Sequence, residues 1–377
     1  MSKIEWTDET WNPIAGCSLV SPGCTNCYAM NMAFRLERML PKLNHYEGLT
    51  QSLKAGPLWT GKVSLAPERT LLEPLRRKKP TTYFVNSMSD LFHEDVPDWW
   101  IYLVLAAMAL TYDGSKFDEN RVIIERKLRH RYQVLTKRSA RMKQFMAALH
   151  AAADLTANPD WLAHRFSEAS RRVSQAAGHP FWMNAPLSTW QWVADGCPGL
   201  WLGVSAERQQ EADVRIPDLL ATPAAVRFVS AEPLLAPIDF KGWLTAAWEG
   251  DRRMMKPAAS LSWVIVGGES GPGARPMHPD WARSIRDQCQ AAGVAFFFKQ
   301  WGNWIDHGPA WGTAAVDEHP VGRDWLYVDA DGTSHRKRES AARCARAMER
   351  VGKKEAGRLL DGRQWNEMPA PAKEVAA

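Results

Sequence analysis

The chain has 377 residues, 45% hydrophobic and 24% charged, with 47 Lys and Arg against 42 Asp and Glu and a formal net charge of +5. That balance is globular and excludes an intrinsically disordered protein. The longest apolar run, Trp99 to Leu110, is interrupted by Tyr102 and is far short of the roughly 20 residues a bilayer span needs. The opening residues, Met1 to Thr10, carry charges where a signal peptide is apolar, so the expectation is a cytoplasmic protein with no membrane attachment.

In chain order, a segment near Ile4–Ile14 reads as a first strand leading into Cys17, Cys24 and Cys27, and a helix is expected over Tyr28–Leu40. Short apolar runs then recur at Thr81–Asn86, Tyr132–Thr136, Leu200–Ser205, Val226–Ser230, Ser262–Gly267 and Val294–Lys299. Unbroken apolar runs of this length suit strands buried on both faces of a parallel sheet. Helices are expected between them at Asp98–Leu110, Ala140–Ala153, Gln209–Leu220 and Pro279–Ala292, the last with Gly293 as its stop. Seven strands alternating with helices make an α/β fold, a (βα) barrel, partial or closed, with a doubly wound sheet as the alternative.

The barrel domain spans 1–302, with a cysteine loop at 16–28 and a helical, Trp-rich insertion at 155–198. Residues 303–377 form a C-terminal extension. It holds a hairpin over Trp325–Ser334, whose Asp331-Gly332 suits a tight turn, and a basic helix near Glu339–Val351.

Ligands in such folds bind at the C-terminal ends of the strands, and here those ends are polar. The second strand ends in Asn86, Ser87, Ser89 and Asp90, followed by His93. The third ends in Lys137 and Arg138, the fourth in Ser205 and Glu207, the fifth in Ser230 and Glu232. The sixth ends in Glu269 and the seventh in Lys299. A helix cap or turn explains any one serine. Charges at a barrel mouth are costly unless paired or bound to a ligand, so Glu232, Glu269 and Lys299 are candidates for binding substrate or moving protons.

The cysteines are spaced C-x6-C-x2-C, and Gly16, Pro22 and Gly23 let the loop wrap so that three thiolates converge. A structural zinc site wants four ligands. Three thiolates with one open position suit a 4Fe-4S cluster with one iron free to chelate S-adenosylmethionine. Zinc with a distant fourth ligand, such as Cys197, Cys289 or a His, is the alternative. Cys197, Cys289 and Cys344 read as ordinary buried cysteines. Nine Lys and Arg against one acid over Arg121–Lys143, ten against four over Arg336–Arg363, and 19 Trp in all suit a nucleic-acid partner. A solvated helix face explains either run equally well.

Several strings together resemble the three-cysteine-motif phage and prophage protein family: Ile4–Pro13, the cysteine loop, Phe84–His93, Leu135–Arg138, Ser230–Leu234, Val266–Ser270, Phe298–Gly302 and Leu360–Pro369. That family is of unknown function and is described as radical-SAM-like. The wider superfamily carries C-x3-C-x2-C with an aromatic before the last cysteine; here the first gap is six and Asn26 holds that position. The resemblance implies Cys17, Cys24 and Cys27 as cluster ligands and a reductant such as a flavodoxin or ferredoxin. It implies the methionine amino group of S-adenosylmethionine near Asn86, Ser87, Ser89 and Asp90. Ribose and carboxylate contacts would fall to Lys137, Arg138, Ser205 or Glu207. The leading expectation is a 4Fe-4S radical S-adenosylmethionine-type enzyme acting on nucleic acid, in DNA modification or repair. The rivals are a non-catalytic, metal-stabilised nucleic-acid-binding protein and a metal-dependent hydrolase or nuclease using Asp90, Glu232 and Glu269.

Overall fold

Seven parallel strands follow one another across a single sheet: β1 (Glu9–Trp11), β2 (Thr81–Val85), β3 (His130–Thr136), β4 (Leu200–Ser205), β5 (Val226–Ala231), β6 (Trp263–Gly267) and β7 (Ala295–Gln300). The structure is a computed structural model and describes residues 4–39, 44–54, 56–112, 116–117, 123–125, 129–153, 161–178, 182–245, 248–249, 256–257, 259–311 and 324–369. Spatial order equals chain order, so no strand reversal exists and the doubly wound alternative falls. The sheet curls into a half-barrel with β1 and β7 at its edges. The curl is visible in Trp6, just before β1, whose ring lies 4.7 Å from that of Phe84 in β2 and 6.0 Å from that of Trp263 in β6.

Alternation along the strands makes two cores. Tyr83, Val85, Tyr132, Val134, Leu202, Val204, Val229, Val264, Phe296 and Phe298 face outward, into the large core under the helices. Phe84, Trp201, Val226, Phe228, Trp263, Ile265 and Phe297 face inward and close on Trp6 as an aromatic plug. Gly203 makes room for that plug: a Cβ there would lie 2.5 Å from the Phe228 ring.

Besides four single-turn helices, the longer helices are α1 (Tyr28–Met39), α2 (Asp98–Ala109), α3 (Ser139–Ala153), α4 (Trp161–Ala176), α5 (Ala185–Ala194), α6 (Gln209–Leu220) and α7 (Pro279–Ala292). Helix α7 opens on His278, whose ring accepts the Asp280 amide, and stops at Gly293 with φ 67°, a left-handed cap that favours glycine. Helix α2 is buried from Ile101 through Ala109 because α4 and α5 of the insertion pack on it. A helix apolar on all sides needs cover on all sides, and the insertion supplies it.

Beyond the barrel, β8 (Trp304–Pro309), β11 (Arg346–Arg350), β9 (Trp325–Val328) and β10 (Ser334–His335) form an antiparallel sheet in that order. The expected hairpin is present, with Val328 opposite Ser334. The basic helix expected near Glu339–Val351 is instead strand β11. It is flanked by β8 and β9, which satisfy its backbone on both sides, and Arg346 and Arg350 pair with Asp306 and Asp324. Farther on, the Phe298 amide donates to the Trp365 carbonyl at 2.9 Å and the Glu367 amide to the Phe296 carbonyl at 3.2 Å. This tail covers the edge of β7, which would otherwise offer unpaired backbone groups. Arg121, Arg126, Lys127 and residues 155–160 and 179–181 of the expected insertion lie outside the described residues.

The inner plug has no slack at Gly203. The Gly203→Ala variant is expected to lose about 1–3 kcal/mol of stability, read by urea unfolding. An unchanged midpoint would contradict the tight interior packing.

Candidate functional site

A cavity of about 480 Å³ opens at the C-terminal ends of the strands. Its wall carries Cys17, Cys24, Cys27, Asn86, Ser87, Ser89, Asp90, Lys137, Arg138, Ser205, Glu232, Glu269 and Lys299. The structure thus brings together every residue expected from the sequence except Glu207, which lies behind the cysteine loop. Of the other cysteines, Cys197 and Cys289 are buried as expected; Cys344 is exposed.

The loop crosses the barrel mouth and starts at Gly16. There φ is 96° and a Cβ would lie 2.1 Å from the Lys62 carbonyl oxygen, so only glycine fits. A 3-10 turn over Pro22–Cys24 follows, and α1 begins directly after Cys27.

Three strand ends hold this loop. At the end of β4, Glu207 is fully buried. Its Oε1 accepts from the Ser21 hydroxyl at 2.6 Å and pairs with Lys137 Nζ at 2.9 Å, while Oε2 pairs with Arg215 at 3.0 Å. Gly23 packs on the same side chain so closely that a Cβ would lie 2.2 Å from Oε1. Burial alone would raise this carboxyl; Lys137, Arg215 and the Ser21 hydroxyl outweigh it and bring it down to about 2.

At the end of β6, Glu269 accepts from the Asn26 amide at 3.0 Å and makes a two-pronged pair with Arg275, at 2.8 and 2.6 Å. Arg275 also donates to the Pro22 carbonyl at 2.9 Å. Asn26 stands between Cys24 and Cys27, so Glu269 grips the loop.

At the end of β3, Arg138 donates to Cys17 Sγ at 3.5 Å, to the Ser18 hydroxyl at 2.6 Å and to Asp90 and Glu94 at 3.3 and 3.1 Å. Asp90 is occupied on both oxygens, by Phe92 N and Thr136 Oγ1 on one and by Lys137 N and Arg138 on the other. Its work is to aim Arg138. Burial foremost, and then Asp90, push the Cys17 thiol up to about 12, with Arg138 opposing. A bound metal would remove that proton outright.

Other strand-end groups keep open valences. The Asn86 Oδ1 accepts the Ile14 amide at 3.3 Å, leaving its buried Nδ2 without a partner among the described residues. That free atom is a donor, so it suits an acceptor such as a carboxylate or a ring nitrogen, not an ammonium group. Glu232 pairs with Lys299 at 3.0 Å and accepts from the Ser230 hydroxyl at 3.0 Å. Ser87 and Ser89 are spent inside the fold, on Asn12 and on the Ile14 carbonyl.

With Asp90 and Glu269 saturated by protein donors, the Asp90–Glu232–Glu269 set expected of a hydrolase is not available for a metal. Among the described residues, no group of three or more His, Cys, Asp or Glu side chains is gathered tightly enough for a single metal ion.

Among the described residues, the first basic run is largely neutralised and the second only in part. Lys137, Arg138, Arg141 and Lys143 pair with Glu207, Asp90 and Glu94, Asp98, and Asp218. In the second run Arg346, Arg350 and Lys353 pair with Asp306, Asp324 and Glu5. The loop's grips Ser21, Asn26, Arg215 and Arg275 escaped the sequence reading. Asn26 and Ser21 lay inside the motif, whereas the two arginines carry no local signal.

Replacing Glu207 by Gln would leave Lys137 and Arg215 buried beside an uncharged group. The expected loss at pH 7 is about 3 kcal/mol, read by urea unfolding. Because the folded carboxyl is depressed, its contribution is full above its ordinary 4.5 and is lost as pH falls towards about 2. The wild type should therefore converge on the variant in acid. Equal stability at pH 7 would contradict the clamp.

No curated protein and no solved structure matches the chain. One protein family does, over residues 1–369, and it is described as a protein of unknown function. The chain therefore belongs to the DUF5131 family.

Proposed function

We propose that the protein is a 4Fe-4S, S-adenosylmethionine-dependent radical enzyme. The observation that carries this reading is the three cysteines of C-x6-C-x2-C on one clamped loop, all on the wall of one cavity at the C-terminal mouth of a parallel half-barrel. The donor set fits the group. A cubane takes its thiolates on three different irons and so spaces them more widely than a single ion does, and it leaves a fourth iron open.

Cys17, Cys24 and Cys27 would hold the cluster, whose chemistry when bound is one-electron cleavage of S-adenosylmethionine to start hydrogen abstraction. The chain's own residues do the rest. Arg138 steadies Cys17, Glu207 and Glu269 hold the loop, and the Glu232–Lys299 pair faces the cavity, where it can pass a proton. Glu269 thus moves from a candidate acid or base to a positioning residue. A flavodoxin or ferredoxin would supply the electron. Phage association rests on sequence resemblance. Nucleic acid as substrate rests on composition, with less weight now that about half of the described basic residues in the two runs pair with carboxylates.

Anaerobic reconstitution is expected to load about four iron and four sulfide per chain, with broad absorption near 400 nm as thiolate clusters show. Cys17→Ala, Cys24→Ala and Cys27→Ala should each abolish loading, and Cys344→Ala should not. Stoichiometric zinc with no iron uptake would overturn the proposal.

A further inference from the structure

The lower wall of the cavity carries three buried polar atoms with no partner among the described residues: Trp6 Nε1, Asn86 Nδ2 and Gln300 Oε1. These residues are 4%, 3% and 7% exposed, and native proteins leave few such groups unmet. Each is held so that the open atom is defined. The Asn86 Oδ1 is taken by the Ile14 amide, the Gln300 Nε2 donates to the Gly268 carbonyl at 3.5 Å, and the Trp6 ring is wedged against Phe84. Two N–H donors and one carbonyl acceptor thus lie unmet on residues that line the cavity, beside the aromatic rings of Trp6 and Phe84 and the aliphatic Leu135.

The charges on this wall cancel. Lys137, Arg138, Lys299 and Lys353 are each paired with a carboxylate, Glu207, Asp90, Glu232 and Glu5. A phosphate would have to break one of those pairs, whereas an uncharged ring breaks none.

We infer that this part of the cavity binds an uncharged, planar heteroaromatic ring bearing both hydrogen-bond acceptors and a donor, that is, a nucleobase. The ring stacks or packs on Trp6 and Phe84. Its acceptors meet Trp6 Nε1 and Asn86 Nδ2, and its donor meets Gln300 Oε1. The inference deepens the proposed enzyme reading by naming the substrate class of the same site. The base reaches the site either as a free nucleoside or turned out of a strand.

The test is calorimetric titration of the full chain, with and without the cluster, using cytidine, uridine, inosine and adenosine, a short single-stranded DNA, and ribose 5-phosphate as a base-free control. Binding of a nucleoside other than adenosine identifies a free-nucleoside source. Binding of the DNA without any nucleoside identifies a base presented by a strand. In either case Trp6→Phe, which keeps an aromatic ring but removes the N–H, and Asn86→Asp, which keeps the Ile14 bond and removes the donor, should each weaken binding about tenfold. Circular dichroism checks that both variants fold.

Absence of binding by every base-containing probe would overturn the inference. So would equal binding of ribose 5-phosphate, unchanged affinity in both folded variants, or binding of adenosine alone, which would assign the wall to the cofactor's own adenine. Base binding to protein that takes up no iron would instead overturn the cluster reading and leave this one standing.

Discussion

The Glu207 carboxylate sits out of reach of solvent between two cations, Lys137 and Arg215, with the Ser21 hydroxyl on the same oxygen as Lys137. A buried charge is tolerable only with such compensation, and here the compensation ties three parts of the chain together. Lys137 comes from the end of β3, Arg215 from α6 and Ser21 from the cysteine loop. Gly23 can pass over the carboxylate because it has no side chain. The other strand-end charges repeat the device: Glu269 grips Asn26, and Arg138 grips Ser18 and Cys17. The loop is thus fixed at its start, middle and end by groups the sheet presents.

That arrangement gives the strand-end charges one shared purpose. Most of them address the loop and not the cavity interior, so the cavity wall is electrically balanced. What faces the cavity with open valence is the thiols, the Glu232–Lys299 pair and a few neutral polar atoms. On the proposed reading, a balanced wall would let a cluster and an uncharged ring share one space without competing against unpaired carboxylates. The aromatic plug fills the interior of the half-barrel, with Phe228 seated over Gly203.

Much of this was legible in the chain. Six of the seven strands and the helices α1, α2, α3, α6 and α7 follow the apolar runs and their caps to within about two residues, because continuous burial leaves the pattern unambiguous. The cavity wall was legible for a topological reason: in a parallel sheet all strands end on one side. The partners of the charges were not. Arg215 and Arg275 are far from the cysteines in sequence, and no period or motif ties Glu207 to Ser21 across 186 positions. The stretch 346–350 was misread as helix because Arg and Glu spacing alone does not tell a charged helix face from a strand whose arginines find carboxylates on its neighbours. The partial cancellation of the basic runs was hidden for the same reason, since the acids that pair with them come mostly from other elements.

The central claim is that three loop thiolates hold a cluster whose fourth iron is open to the cavity. Mössbauer spectroscopy of the iron-57-reconstituted protein, before and after adding S-adenosylmethionine, tests it most directly. The account predicts that one iron in four changes its isomer shift on addition while the other three stay as they were. Four irons indifferent to S-adenosylmethionine, or iron bound only as isolated ions, would contradict it.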